Sequence, residues 1–212
     1  MDRIVVFGAG GRAGRRIVAE AVDHGHQVTA VVRDPARHDF PADVTVAAGD
    51  VTDADSVAAA AAGHDVAIST VYRADVDARE FYASAARALL DGLKRAGTER
   101  LLVVGIGSLL ETAPGVRVLD APDFPAEARV FSLGHAAGLE VLQAGELDWV
   151  MFAPPPVVLG DGDARAGRYR VGGVSVLPAS EGFSYSDLAV VVVREVGSPS
   201  CSRSLVAVGY SG

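Results

Sequence analysis

The chain alternates between two hydrophobic patterns. Short β-branched and aliphatic runs predict strands over residues 3–8, 27–32, 44–47, 66–69, 101–105 and 149–153. Between them, Ala/Leu/Arg-rich stretches of helical length predict helices over 12–24, 56–62, 78–96 and 126–144. Repeated strand–helix units of this kind build a parallel sheet, so the architecture is α/β. The firmest strand is the first, which is continuous, apolar and followed at once by glycines; the segment 44–47 also reads as a loop.

Further along, the pattern is interrupted twice. Residues 105–124 exceed an ordinary strand-to-helix loop and carry Pro114, Gly115 and Pro122, with Pro125 next, which predicts a substrate-side loop. Residues 154–182 are rich in Gly and Pro, with a strand pair around 167–171 and 174–177 that predicts a small β-hairpin cap. Residues 184–196 read as helix or strand, because 189–193 is nearly all valine, and 204–208 reads as a closing edge strand. No internal repeat or linker stands out. At 212 residues, one domain is expected, with substrate-side insertions at about 105–125 and 154–182.

Composition narrows the class. Half the residues are hydrophobic and 22% charged, enough for a sizeable core and too apolar for disorder. Nineteen Lys+Arg against 27 Asp+Glu leave a net charge of −8, so the overall field repels nucleic acid and anionic membranes. No run reaches the roughly 18 apolar residues of a membrane helix. One cysteine, Cys201, excludes an intramolecular disulfide and a multi-cysteine metal site, and fits a reducing compartment; the cytoplasm is expected. Lys94 is the only lysine.

The chemistry begins at Gly8-Ala9-Gly10-Gly11-Arg12-Ala13-Gly14, which follows the first strand and opens a helix. Glycines there permit a tight turn and let the backbone approach a pyrophosphate at the positive helix end. Two registers fit, one on Gly8, Gly10 and Ala13, the other, favoured here, on Gly8, Gly11 and Gly14. Past the second strand stands Arg33, whose guanidinium suits a ribose 2′-phosphate where an acid would suit a free hydroxyl. NADP is therefore favoured, with Arg12 and Arg37 as possible helpers, while Asp34 keeps NAD open. Asp50 and Val51, beyond the third strand, are placed to meet adenine; Asp50 also reads, with Thr52 and Asp53, as a plain helix cap. Ser69, Thr70, Val71 and Tyr72 end the fourth strand and line the nicotinamide-ribose side.

In order and spacing these motifs resemble the atypical short-chain dehydrogenase/reductases of the NmrA-like kind, including biliverdin-IXβ/flavin reductase. The likeness continues through Asp65-Val66-Ala67-Ile68-Ser69, Leu101–Gly105, Leu147-Asp148-Trp149-Val150 with Pro154-Pro155, and Val206–Tyr210. Ala121–Pro125 and Gly167–Gly173 resemble a bacterial branch known mainly as NAD(P)-dependent oxidoreductases or NAD(P)H-binding proteins. The resemblance implies a doubly wound parallel sheet, the NAD(P)-binding Rossmann fold, with a small C-terminal substrate cap. It implies NADP(H) on Gly8, Gly11, Arg12, Ala13 and Gly14, Arg33 on the 2′-phosphate, and Asp50 and Val51 near adenine. Thr70, Val71, Pro154 and Pro155 would stand near nicotinamide.

One departure bears on mechanism. Short-chain dehydrogenases pair a Tyr with a Lys four residues later to move the carbonyl proton. Here Lys94 follows Leu90, and the expected Tyr and Lys positions hold Ser132 and Ala136. Hydride transfer to a flavin, quinone or conjugated carbonyl needs less, because cofactor and acceptor carry the chemistry. That makes an NADP(H)-dependent reductase of such an acceptor the leading expectation. Ser108, past the fifth strand, and His135, near the expected catalytic helix, are the candidate catalytic residues. His24, His26, His38 and His64 sit on polar segments away from the crevice. No metal site is expected, because no cysteine cluster or H-x-x-x-H spacing occurs. Tyr169 and Tyr185 are candidates for an aromatic lid. A non-catalytic redox sensor and an isomerase or cyclase on the same fold are the alternatives.

Overall fold

A computed structural model describes residues 1–157, 159–162, 167–178 and 183–210, so parts of the expected cap at 154–182 lie outside the described residues. The elements run β1 (Arg3–Phe7), α1 (Arg12–Asp23), β2 (Gln27–Val32), β3 (Thr45–Ala48), α2 (Ala54–Ala61), β4 (Val66–Ser69) and α3 (Ala78–Ala96). There follow β5 (Arg100–Val104), β6 (Glu111–Ala113), β7 (Val116–Arg117), α4 (Ala126–Ala144), β8 (Asp148–Ala153), β9 (Arg170–Val171), α5 (Tyr185–Gly197) and β10 (Ser204–Gly209).

Alternate residues of β1 feed two cores, as a strand buried on both faces requires. Ile4 and Val6 pack with Ile17 and Val18 of α1 and Leu188, Val191 and Val192 of α5. Val5 and Phe7 pack on the other face with Val57 of α2, Leu89 and Leu93 of α3 and Leu142 of α4. The sheet between them has the order β3-β2-β1-β4-β5-β8-β10-β9 among the described residues. Every pairing from β3 to β10 is parallel, and only the two-residue β9 runs antiparallel. This is the expected doubly wound sheet. The chain leaves β1 in both directions, to β2 and to β4, so a crevice opens at the carboxyl ends of these strands.

Helix caps explain several boundaries. Asp53 caps α2 by accepting from the amides of Asp55 and Ser56, which starts that helix before the expected Ser56. Asp77 caps α3, and Gly97 ends it in the left-handed conformation at φ 76°. The valine-rich segment is a helix because Ser184 and Asp187 form a capping box at its start.

Two expectations are corrected. The segments 167–171 and 174–177 do not form a hairpin: β9 pairs with Val208 and Gly209 of β10, while Ser175 bridges Glu111. β10 is not the edge strand, because β9 covers its outer side. Within the stretch after β5, β6 and β7 make a short antiparallel pair. No helix among the described residues is long and apolar enough to cross a membrane.

Candidate functional site

The glycine loop sits where β1 delivers it. The amides of Gly8 and Ala9 donate to Val31 O at 3.1 and 3.3 Å, and Thr70 N donates to Phe7 O at 2.9 Å, so β2 and β4 both hold the turn. Thr70 Oγ1 adds a bond to Gly8 O at 3.0 Å. Gly8 has φ 79°, and a side chain there would press on Thr70 at 3.0 Å. A Cβ on Gly14 would stand 2.3 Å from Gly8 O, so α1 lies on the turn in a way only glycine allows. Gly8 and Gly14 are thus the glycines the backbone requires, whereas a Cβ on Gly11 would make ordinary contact at 3.4 Å.

α1 begins at Gly11 with no side-chain cap and no acidic residue in its first turn, unlike α2, α3 and α5, each of which has a side-chain cap. Its first amides thus carry no side-chain cap among the described residues, and a helix dipole favours negative charge at such an end. Ala13 and Gly14 are buried beneath that turn. Arg12 is exposed; its guanidinium lies over the Tyr185 ring at 5.0 Å and 3.7 Å from an Asp161 carboxylate oxygen. Tyr185 therefore lies against α1 instead of standing free as a lid.

A cleft of about 250 Å³ opens beside this turn. Its walls include Gly8, Gly11, Arg33, Asp50, Val51, Thr70 and Val71, so most of the expected cofactor residues converge. Arg33 is exposed and has no hydrogen bond or ion pair among the described residues. The Asp50 carboxylate accepts from Thr52 N at 2.9 Å and Thr52 Oγ1 at 2.7 Å, which holds its pKa below the usual range. The helix-cap duty belongs to Asp53, leaving Asp50 in the cleft wall.

His38 is misjudged by sequence: it lines this cleft, with its ring so close over Gly10 that a Cβ there would meet it at 2.2 Å. Arg73 and Phe81 are lining residues that the motifs did not indicate. Position offers a signal for His38 and Arg73, because His38 lies in the connection leaving Arg33 and Arg73 follows the fourth-strand motif closely. Arg73 forks onto Asp75, whose pKa it pulls down to about 2.

The remaining expected residues gather elsewhere. Ser69 lines a second, smaller space of about 30 Å³ with Tyr82 and His135, and Val71 stands between the two, lining both. Ser108 is buried in the 3-10 turn Gly107–Leu109 after β5, with its Oγ 2.8 Å from Ser132 Oγ on α4. That turn crosses the segment after β8 so closely that a Cβ on Gly107 would stand 2.3 Å from Pro154 O and 2.8 Å from Pro155 C. Ser108, Pro154 and Pro155 thus share the carboxyl ends of β5 and β8, outside the walls of the larger cleft.

His135 does not fit a proton donor. Its ring stacks on Tyr82 at 3.9 Å and meets Phe131 at 4.8 Å, with no hydrogen bond among the described residues. Burial lowers its pKa to about 3, so at neutral pH it carries no imidazolium proton to give.

The chain belongs to a family described as NAD(P)H-binding, whose model matches residues 8–199. Among curated proteins it is 32% identical over 207 residues to the uncharacterized protein YwnB of Bacillus subtilis, covering 93% of each chain. A solved Burkholderia pseudomallei protein shares 35% identity and a TM-score of 0.87, over 99% of this chain and all of the other. A Streptococcus pneumoniae structure named "putative NADH-flavin reductase" shares 27% identity and a TM-score of 0.86 over the full length of both.

Proposed function

We propose that this protein is an NADP(H)-dependent reductase that passes hydride to a flavin-, quinone- or conjugated-carbonyl-like acceptor without a Tyr/Lys pair. The observation that carries the reading is one cleft holding both a helix N-terminus with no side-chain cap, over the Gly8–Gly14 turn, and the Arg33 guanidinium, which has no hydrogen bond or ion pair among the described residues. The residues fit the cofactor: Gly8 and Gly14 permit the tight turn that seats the start of α1 at the cleft, and no side chain among the described residues caps the first amides of that helix. The name of the pneumococcal relative supports the acceptor class.

In this reading Gly11, Arg12 and the start of α1 hold the pyrophosphate, and Arg33 pairs with the 2′-phosphate. Asp50 and Val51 border adenine. Thr70 fixes the turn by its bond to Gly8 O, and Val71, Pro154 and Pro155 bound the nicotinamide end. The cofactor, when bound, supplies two electrons and a hydrogen as hydride to the acceptor, and water supplies the balancing proton. Ser108 positions a ligand and His135 is a packing residue. The lone, partly buried Cys201 accords with a reducing cytoplasm.

The second reading, a non-catalytic redox sensor, has one observation in its favour: the buried Ser132 replaces an ionisable phenol on α4. The two separate on whether bound NADPH is consumed. Fluorescence titration with NADPH, NADP, NADH and NAD, followed by NADPH oxidation against flavins, quinones and enones, should show tight NADPH binding and acceptor-dependent oxidation. Binding without oxidation by any acceptor favours the sensor. Arg33→Ala should weaken NADPH binding at least about tenfold more than NADH binding, as loss of a charge-assisted pair to phosphate implies. Equal losses would remove Arg33 as the 2′-phosphate reader.

A further inference from the structure

The hydroxyl of Ser108 has a direction, and Ser132 sets it. Ala128 O is a carbonyl and can only accept; Ser132 Oγ lies 2.7 Å from it and donates. A serine hydroxyl has one hydrogen. With that hydrogen committed to Ala128, the 2.8 Å contact between the two serines is made by the hydrogen of Ser108. Both residues are buried, at 7% and 2% exposure, so water offers little alternative. The chain therefore runs Ser108 Oγ–H to Ser132 Oγ–H to Ala128 O, leaving Ser108 only lone pairs to offer.

We propose that Ser132 is a positioning residue that makes Ser108 a hydrogen-bond acceptor, so that the ligand group seated against Ser108 bears an N–H and not a bare carbonyl oxygen. Two sources have that chemistry: the nicotinamide carboxamide and the ring N–H of a flavin-like or lactam acceptor. The inference rests on the reductase reading in placing the ligand at the carboxyl ends of β5 and β8. It also reverses the job expected of a serine beside a carbonyl acceptor. Ser108 gives no hydrogen bond to that oxygen while Ser132 holds its hydrogen.

Two matched pairs of probes test this. The first is NADPH against its 3-acetylpyridine analogue, which has a methyl ketone in place of the carboxamide, compared by calorimetric Kd without turnover. The second is lumiflavin against 3-methyllumiflavin, which lacks the ring N–H, compared by kcat/KM with NADPH. The wild type should favour the N–H-bearing member about tenfold in one pair, the size of one good hydrogen bond. Preference in the first pair identifies the carboxamide as occupant, and preference in the second identifies the acceptor ring.

Ser132→Ala frees the Ser108 hydrogen to turn toward a carbonyl, so the preference should fall to about twofold or less. Ser132→Thr retains a hydroxyl able to bond the carbonyl four residues back and should keep the preference. Circular dichroism and retained NADPH binding establish that each variant is folded. The inference is overturned if neither pair shows a preference, or if the preference survives Ser132→Ala in the folded protein. Loss of the preference in folded Ser132→Thr overturns it too. NADPH binding with no turnover sinks the reductase reading, and the first pair, read by binding alone, then decides the role of Ser108.

Discussion

The two ends of the central sheet solve the burial of polar groups in opposite ways. At the amino ends of β5 and β8, charges are buried and matched. Arg100 pairs with Asp148, and its second amino group donates to Glu195 at 2.7 Å and to Cys201 O at 3.0 Å. Glu195 also accepts from Ser200 N and Cys201 N, each at 2.8 Å, and Ser202 closes on Asp148 at 2.7 Å. This network ties two strands to the end of α5 and the turn beyond it. At the carboxyl ends lie the helix N-terminus after β1, which has no side-chain cap, and the Arg33 guanidinium after β2, which has no hydrogen bond or ion pair among the described residues, while the buried His135 is kept neutral. The sheet thus carries a matched ion network at one end of β5 and β8 and the candidate cleft at the opposite end of β1, β2 and β4, and substitutions at the two ends should fail differently.

The largest effect is expected from Arg100→Met. Removing the cation strands the carboxylate of Glu195, which is 5% exposed, and breaking a buried pair this way costs about 3–5 kcal/mol. Urea unfolding should show that loss, while NADPH affinity of the folded fraction stays within about twofold. Replacing both partners, Arg100→Met with Glu195→Met, should recover much of it, because no unpaired charge then remains. A loss below about 1 kcal/mol for Arg100→Met, or a matching collapse of cofactor affinity, would dissolve the division between the two ends.

A smaller effect separates pairing from neutralisation as answers to burial. His135 has its pKa lowered to about 3 by burial, against about 6.5 in an unfolded chain. As pH falls through 6.5 the unfolded chain takes the proton first, so stability is constant above that value and is lost progressively between about 6.5 and 3. At pH 5 the linked loss is about 2 kcal/mol. In His135→Phe, which keeps an aromatic ring against Tyr82 and Phe131, the difference in unfolding free energy between pH 7 and pH 5 should shrink by about that amount. An unchanged acid limb would show that His135 takes up its proton without unfolding.

How much of this was legible depended on the range of the interactions. The strands of the parallel sheet and the glycine turn were readable because each is a local pattern, and the position of Arg33 in the cleft wall was readable because it directly follows β2. The valine-rich α5 was ambiguous because valine suits either element, and the Ser184–Asp187 capping box decided it. The false hairpin at 167–177 failed for a longer-range reason. β10, more than thirty residues beyond β9, took it as a partner, which no local turn signal announces. Ser108 stands out in sequence as a candidate, but the direction proposed for its hydrogen bond depends on Ser132 and Ala128, brought to it by the packing of α4.

The finest contrast lies within the glycine turn itself. Gly14 and Gly10 look interchangeable in sequence, yet a Cβ on Gly14 would meet backbone, at 2.3 Å from Gly8 O and 2.8 Å from Ala9 Cα. The three atoms nearest a Cβ on Gly10 would all belong to the ring of His38, an exposed side chain able to turn away. Gly14→Ala should therefore cost about 1–3 kcal/mol of stability, as overpacking against an immovable neighbour does. Gly10→Ala should stay within about 0.5 kcal/mol of wild type, like an ordinary surface substitution. Its consequence should instead be seen in binding, because the displaced imidazole belongs to the wall of the cleft that also holds Arg33. Thermal melts paired with NADPH titrations separate these outcomes. Equal destabilisation by both substitutions would mean that His38 is held as firmly as backbone, and the cleft would then be as rigid as the network at the other end of the sheet.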